Sequence, residues 1–254
     1  MTKTILLLLA ASLAPSCVLA WSTPGDPFSG ELRLGGTVTN TRNPWVWKIG
    51  EGVEGLDVTL SSRARRGETA VPLSLSAVTL LLGKTTRIVP AGREGLSPRV
   101  TYGKAQEDVR LAWGAPGTAS VTLPVIGEAG LRVGSFTFQM QAAAVMRRAE
   151  RGNATYVGLY EDRQGNGLPA QAAMMPAAQI PGTLQAMFGA EGPRWLQDIS
   201  VSETAGLSRF SDANLHQLEG VYGAQVVPGS GELRLTGAAP ARWRVSLAVS
   251  IEYQ

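Results

Sequence analysis

The chain has 254 residues, 23 basic and 20 acidic, a formal net charge of +3, 30 glycines, 15 prolines, one cysteine and one histidine. A nearly balanced charge gives no support for a nucleic-acid partner, and a single cysteine and a single histidine exclude Cys/His metal clusters and a two-histidine zinc motif. Abundant Gly and Pro with few charges suit a turn-rich β-protein better than a helical one.

Residues 1–20 read as a secretory signal peptide. Lys3 supplies the positive start, Ile5 to Ala11 the apolar run, and Val18-Leu19-Ala20 a small-residue cleavage site before Trp21. The apolar run is too short to span a bilayer. Cys17, the only cysteine, leaves with this leader, so the mature chain is expected to hold no disulfide and no thiol chemistry. The roughly 230 residues that remain can bury a large core unaided.

Past the leader, Phe28, Gly30, Leu32, Leu34, Gly36 and Val38 alternate with Ser29, Glu31, Arg33, Gly35, Thr37 and Thr39. Strict alternation marks a half-buried strand, because successive side chains point to opposite faces. Further strand candidates are Trp45–Ile49, Leu56–Leu60, Leu73–Ala77, Val78–Leu82, Val109–Trp113, Val121–Val125, Val133–Met140 and Leu233–Leu235. Frequent Gly or Pro between them suggests a β-sandwich of one domain. From 168 to 199 the chain is rich in Ala, Met, Gln and Leu, and Ala170–Met175 and Thr183–Phe188 read as short helices bounded by Pro176, Pro181 and Gly189. This helical insert either specialises a surface or caps one sheet. The chain closes on a second alternating strand: Trp243, Val245, Leu247, Val249, Ile251 and Tyr253 against Arg244, Ser246, Ala248, Ser250, Glu252 and Gln254. Two amphipathic ends offer backbone edges for pairing between molecules. The other reading is that both terminal strands pair inside one closed domain, and pattern alone leaves both open.

Chemistry motifs are sparse. His216 lies in a polar stretch and reads as a surface residue. The Glu161-Asp162 pair precedes Gln164-Gly165-Asn166-Gly167 and reads as a solvated turn, since calcium-loop spacing is missing. Asn153-Ala154-Thr155 fits a glycosylation sequon, a short match that arises easily by chance. There is no phosphate loop or nucleophile elbow, so no enzyme activity, cofactor or metal is expected. Trp195 has two readings: a floor for a sugar ring, or a core anchor that packs the insert onto the sandwich.

The mature start, Trp21 through Thr39, resembles subunits of the K-88 (F-four) fimbriae, surface fibres of Gram-negative bacteria. The resemblance continues through Trp45-Val-Trp-Lys-Ile-Gly50 and Leu123-Pro-Val-Ile-Gly-Glu-Ala-Gly-Leu-Arg-Val-Gly-Ser135, and ends on Ser250-Ile-Glu-Tyr-Gln254. It implies an all-β, incomplete immunoglobulin-like sandwich that lacks its last strand. A periplasmic chaperone lends a strand, and at the outer-membrane usher the N-terminal extension of the next subunit replaces it. On this resemblance residues 21–40 form the donor extension, with Phe28, Gly30, Leu32, Leu34, Gly36 and Val38 as the donor strand. Residues 41–254 form the pilin domain, and Val245, Leu247, Val249, Ile251 and Tyr253 line the acceptor groove and pair with the chaperone. The expected product is a minor structural subunit, exported to the cell surface and contributing to adhesion. The alternative is a major subunit or adhesin that binds host glycoconjugates, with Trp195 as a contact.

Overall fold

The computed structural model describes residues 43–53, 55–58, 69–114, 116–150, 152–237 and 240–254. Within them lie fourteen strands and one α-helix: β1 (Trp45–Ile49), β2 (Thr69–Leu73), β3 (Thr79–Thr85), β4 (Val89–Ala91), β5 (Pro98–Tyr102), β6 (Arg110–Gly114), β7 (Thr118–Gly127), β8 (Arg132–Glu150), β9 (Asn153–Tyr160), α1 (Ile180–Phe188), β10 (Glu203–Gly206), β11 (His216–Val226), β12 (Gly231–Leu235), β13 (Trp243–Arg244) and β14 (Val249–Tyr253). The protein is therefore all-β with one short helix. The expected donor strand lies outside the described residues.

β8 is the spine of the larger sheet. Along one edge it pairs first with β7 and then with β9; along the other, first with β12 and then with β11. β11 continues to β3 and β1, and β12 continues to β2. The pairings are antiparallel except for β9 with β10. A second, two-stranded sheet of β5 and β14 packs across the inner face. The main core lies between them and holds Leu81, Val100, Tyr102, Val121, Phe136, Met140, Leu218 and Tyr222.

Burial along β8 alternates as far as Gln141 and then becomes continuous from Ala142 to Met146. The cause is the insert. On the inner face Ala142, Ala144 and Met146 join the main core, while on the outer face Ala143 and Val145 pack with Leu82 and Val221 beneath Ile180, Leu184, Met187 and Phe188. Each of those insert side chains contributes about 2 kcal/mol of burial. The close approach is set by glycine: a Cβ on Gly223 would come within 2.6 Å of the Met187 sulfur.

Several elements differ from expectation. β5, β9 and β11 fall where no strand is expected, and α1 begins at Ile180, three residues before the expected start. Pro181 falls in its first turn, where the missing N–H costs nothing. Ala170–Met175 supplies only a single 3-10 turn at Gln171–Ala173. Leu56–Val58 is not a strand, although both side chains pack against the main core.

Candidate assembly site

The C-terminal segment is a strand edge with one side occupied. Ser250 and Glu252 pair with Thr101 and Arg99 of β5, and the ladder runs on through Gln254 and Ser97, which exchange bonds at 2.9 and 3.3 Å. In an antiparallel ladder a residue's N–H and C=O point to the same side, and the side alternates along the strand. Ala248, Ser250, Glu252 and Gln254 therefore face β5, while Val249, Ile251 and Tyr253 aim their backbone groups away from it. Among the described residues no strand lies on that far side. Val245, Leu247, Val249 and Ile251 pack against the main core, yet all four stay half-buried, unlike Val100 and Tyr102 of the neighbouring strand.

The expected single strand from Trp243 to Tyr253 is two strands. At β13, Trp243 and Arg244 pair with Gly127 and Ile126 of β7. Between β13 and β14 the neighbour is the turn after β5, so side-chain and single backbone bonds replace the ladder. Gln106 Oε1 accepts from the Ala248 N–H at 2.7 Å, and the Gly103 N–H donates to the Ala248 carbonyl at 2.8 Å.

Facing β14 across the core rim is β1, whose outer edge also has no strand partner among the described residues. Trp45 is buried and donates its indole N–H to the Leu96 carbonyl at 3.0 Å. Trp47 stacks on Trp45 with centroids 5.3 Å apart and donates its own indole N–H to the Tyr253 hydroxyl at 2.9 Å. That bond links the two layers. At the Trp243 end, a cavity of about 400 Å³ is lined by Leu56, Val58, Leu233, Leu235 and Trp243 among others. Val245, Leu247, Val249 and Ile251 thus line the rim of the main core, and Tyr253, at the end of β14, is more exposed and bonded to Trp47.

β14 is held from behind by charge and by a buried polar network. Glu252 is paired with both Arg99 and Lys104. The other edge of β5 is closed by the Asn166–Gly167 segment: Asn166 Oδ1 accepts from the Tyr102 N–H at 2.6 Å, Asn166 Nδ2 donates to the Tyr102 carbonyl at 2.9 Å, and the Gly167 N–H donates to the Val100 carbonyl at 3.1 Å. Tyr102 and Tyr222 hydroxyls meet at 3.1 Å, and Tyr222 donates to the Gly167 carbonyl at 2.6 Å. Burial pushes both phenols well above their ordinary range.

Glu161 corrects the solvated-turn expectation. Its Oε2 is buried without a hydrogen-bond partner. Burial pushes the carboxyl up to about 7; the Arg163 N–H and the Arg99 charge oppose that rise and Asp162 adds to it. Asp162 instead accepts from the Ser208 N–H at 3.0 Å and from its hydroxyl.

Trp195 stacks on Tyr156 at 5.7 Å and donates to Glu219 Oε1 at 3.2 Å, with its ring against the core beneath the insert. It belongs to the cluster under α1 and not to the core that β14 packs against. His216 is exposed at the start of β11. Among the described residues no group of acidic, His or Cys side chains could hold a metal ion. Two contributors to the site, Trp47 and Asn166, escaped the sequence reading. Trp47 was legible as the inward neighbour of Trp45 at strand spacing; Asn166 carried only the faint signal of an Asn between two glycines.

Comparison with known proteins identifies the family. The family model described as fimbrial, major and minor subunit matches residues 1–254. The chain is 59% identical over 254 residues to the K88 minor fimbrial subunit FaeI of Escherichia coli, covering all of both chains. It is 31% identical to the K88 fimbrial protein AD of Escherichia coli over 160 residues, 58% of this chain and 55% of that one. With the K88 fimbrial protein AC of the same organism it shares 31% identity over 161 residues, 58% of this chain and 56% of the other. A full-length family match, joined to a full-length relative of that kind, places the chain in the family of fimbrial major and minor subunits.

Proposed function

We propose that this chain, a minor structural subunit assembled into fimbriae on the cell surface, polymerises by donor-strand exchange. Residues 21–40 form the donor extension and 41–254 an incomplete immunoglobulin-like domain. The edge of β14 that faces away from β5 receives the strand. A periplasmic chaperone occupies it first, at the outer-membrane usher the N-terminal extension of the next subunit replaces the chaperone, and the segment Phe28–Val38 of this chain is passed on to a neighbouring subunit. Assembled subunits contribute to bacterial adhesion through the fibre they build.

The observation that carries this reading is the state of β14. Its apolar side chains reach the core but stop at half burial, and its outward backbone groups meet no strand among the described residues. A strand laid there would supply both missing partners. Burying Phe28, Leu32, Leu34 and Val38 at about 2 kcal/mol each gives about 8 kcal/mol before ordering entropy, with backbone hydrogen bonds of about 1 kcal/mol each added. That is enough for a link that rarely opens.

Deleting residues 21–38 tests it. The shortened subunit should still be recovered bound to its chaperone but should not extend a fibre; fibres of normal length would end the proposal.

A further inference from the structure

We infer that Asn166 is a site of spontaneous deamidation held shut by the fold: it converts to aspartate or isoaspartate only when the back edge of β5 opens, and the conversion then keeps that edge from closing again. The site lies behind β5, away from the outward edge of β14, and does not depend on strand exchange there.

Of the five asparagines in the chain, Asn166 alone precedes a glycine, Gly167. A glycine leaves its backbone nitrogen free to approach the preceding side chain, so this is the asparagine pair most prone to deamidate. The Gly167 nitrogen gives up its proton and attacks Asn166 Cγ. The Cγ–Nδ2 bond breaks, ammonia leaves and a cyclic succinimide remains. Water then opens either carbonyl of the ring to give aspartate or isoaspartate. The reaction consumes one water from the solvent and needs no oxidant, reductant or enzyme.

Packing imposes this labile pair. A Cβ at residue 167 would come within 2.5 Å of the Val100 Cβ, so only glycine fits. Residue 166 must present an acceptor and a donor side by side to the Tyr102 N–H and carbonyl, which a side-chain amide does. The same contacts block the chemistry. The Gly167 N–H is donated to the Val100 carbonyl at 3.1 Å, which directs the would-be nucleophile at β5. The Asn166 amide is held against Tyr102 at both of its ends. The Asn166 N–H donates to the Val100 carbonyl at 3.3 Å, and its carbonyl accepts from the Trp113 indole at 3.0 Å. The Gly167 carbonyl accepts from the Tyr222 hydroxyl at 2.6 Å. With every polar atom of the pair bonded, neither the backbone nor the side chain can swing into the geometry of attack until the segment lifts off β5.

Conversion acts in one direction. Aspartate replaces the Nδ2 donor with an oxygen, which meets the Tyr102 carbonyl with no proton between them. Isoaspartate also lengthens the main chain by one carbon, which draws the Gly167 N–H off Val100.

Peptide mapping by mass spectrometry tests the site. Purified fibres, and the same material unfolded in urea, are held in mildly alkaline buffer, and conversion at Asn166 is followed with Asn153 and Asn214 as internal references. In urea Asn166 should convert ahead of both references, and in the fibre it should convert about a hundredfold more slowly, because the rate then follows the small open population. Equal rates in fibre and urea would overturn the inference. Gly165→Ala keeps the Asn-Gly pair but places a methyl within 2.7 Å of Glu161 Oε2 and 3.2 Å of the Val100 carbonyl oxygen, which presses the segment outward. It should speed conversion in the folded chain about tenfold and leave the rate in urea unchanged; no acceleration in the folded chain would refute the gate. As a second measurement, amide exchange across β5 should be about tenfold faster in Asn166→Asp than in the wild type. Equal protection in the two would refute the claim that conversion keeps the edge open.

Discussion

Glu161 gives a prediction in which both sign and size are fixed. Its carboxyl ordinarily titrates at 4.5, and in the folded chain burial moves it up to about 7. A raised folded pKa means that the native state holds the proton more firmly than the unfolded chain does. The associated stability is fully present below about pH 4.5 and is lost as pH rises through about 7. The interval from 4.5 to 7 corresponds to about 3.4 kcal/mol at 1.36 kcal/mol per pH unit, and partial solvent screening reduces this to about 1–2 kcal/mol. Glu161→Gln copies the neutral acid and cannot ionise. Urea unfolding of the partner-bound subunit, followed by tryptophan fluorescence at pH 5 and pH 8, should show the wild type losing about 1–2 kcal/mol more than the variant between the two. Equal losses in both proteins, or a wild type that gains stability at pH 8, would refute the assignment of a protonated buried carboxyl.

Three further outcomes follow from single contacts. Asn166→Ala strips both backbone groups of Tyr102 of their partner and should cost about 2–3 kcal/mol in denaturant unfolding. Leu184→Ala removes a fully buried side chain of the insert and should cost about 3 kcal/mol; limited proteolysis should then cut faster between residues 168 and 200 while fibre formation continues. Gly83→Ala drives a methyl into the Trp47 ring, so tryptophan fluorescence should shift and subunit addition should slow, with the insert left intact.

The parts of the fold that could be read in the sequence are those with one dry face and one wet face. β7 and the first half of β8 alternate because only their inner face is covered, and Val121, Leu123 and Val125 show it plainly. β11 and the second half of β8 were opaque because both faces are buried. There the inward set Leu218 and Tyr222 and the outward set Val221 and Gly223 run together without a period. Gly220 and Gly223 lower strand propensity, yet they are needed where Trp45 and Met187 approach the backbone. At the assembly site the apolar alternation of the last strand was legible, and its break at Val245–Ala248 was not, because Gln106, far away in sequence, takes over a backbone role. The raised carboxyl of Glu161 was hidden for a similar reason: burial beneath β5 is a property of the folded chain, whereas an acidic pair before glycines looks like any exposed turn.

The most direct measurement offers a missing strand in trans. A subunit lacking residues 21–38, held by its chaperone, is mixed with a synthetic peptide of residues 21–40, and amide hydrogen exchange is followed by mass spectrometry. The peptide should displace the chaperone, with protection retained across Val245–Tyr253 in a one-to-one complex. A peptide that never binds, beside a full-length chain that is folded, solitary and protected across the same segment by its own leading residues, would contradict it.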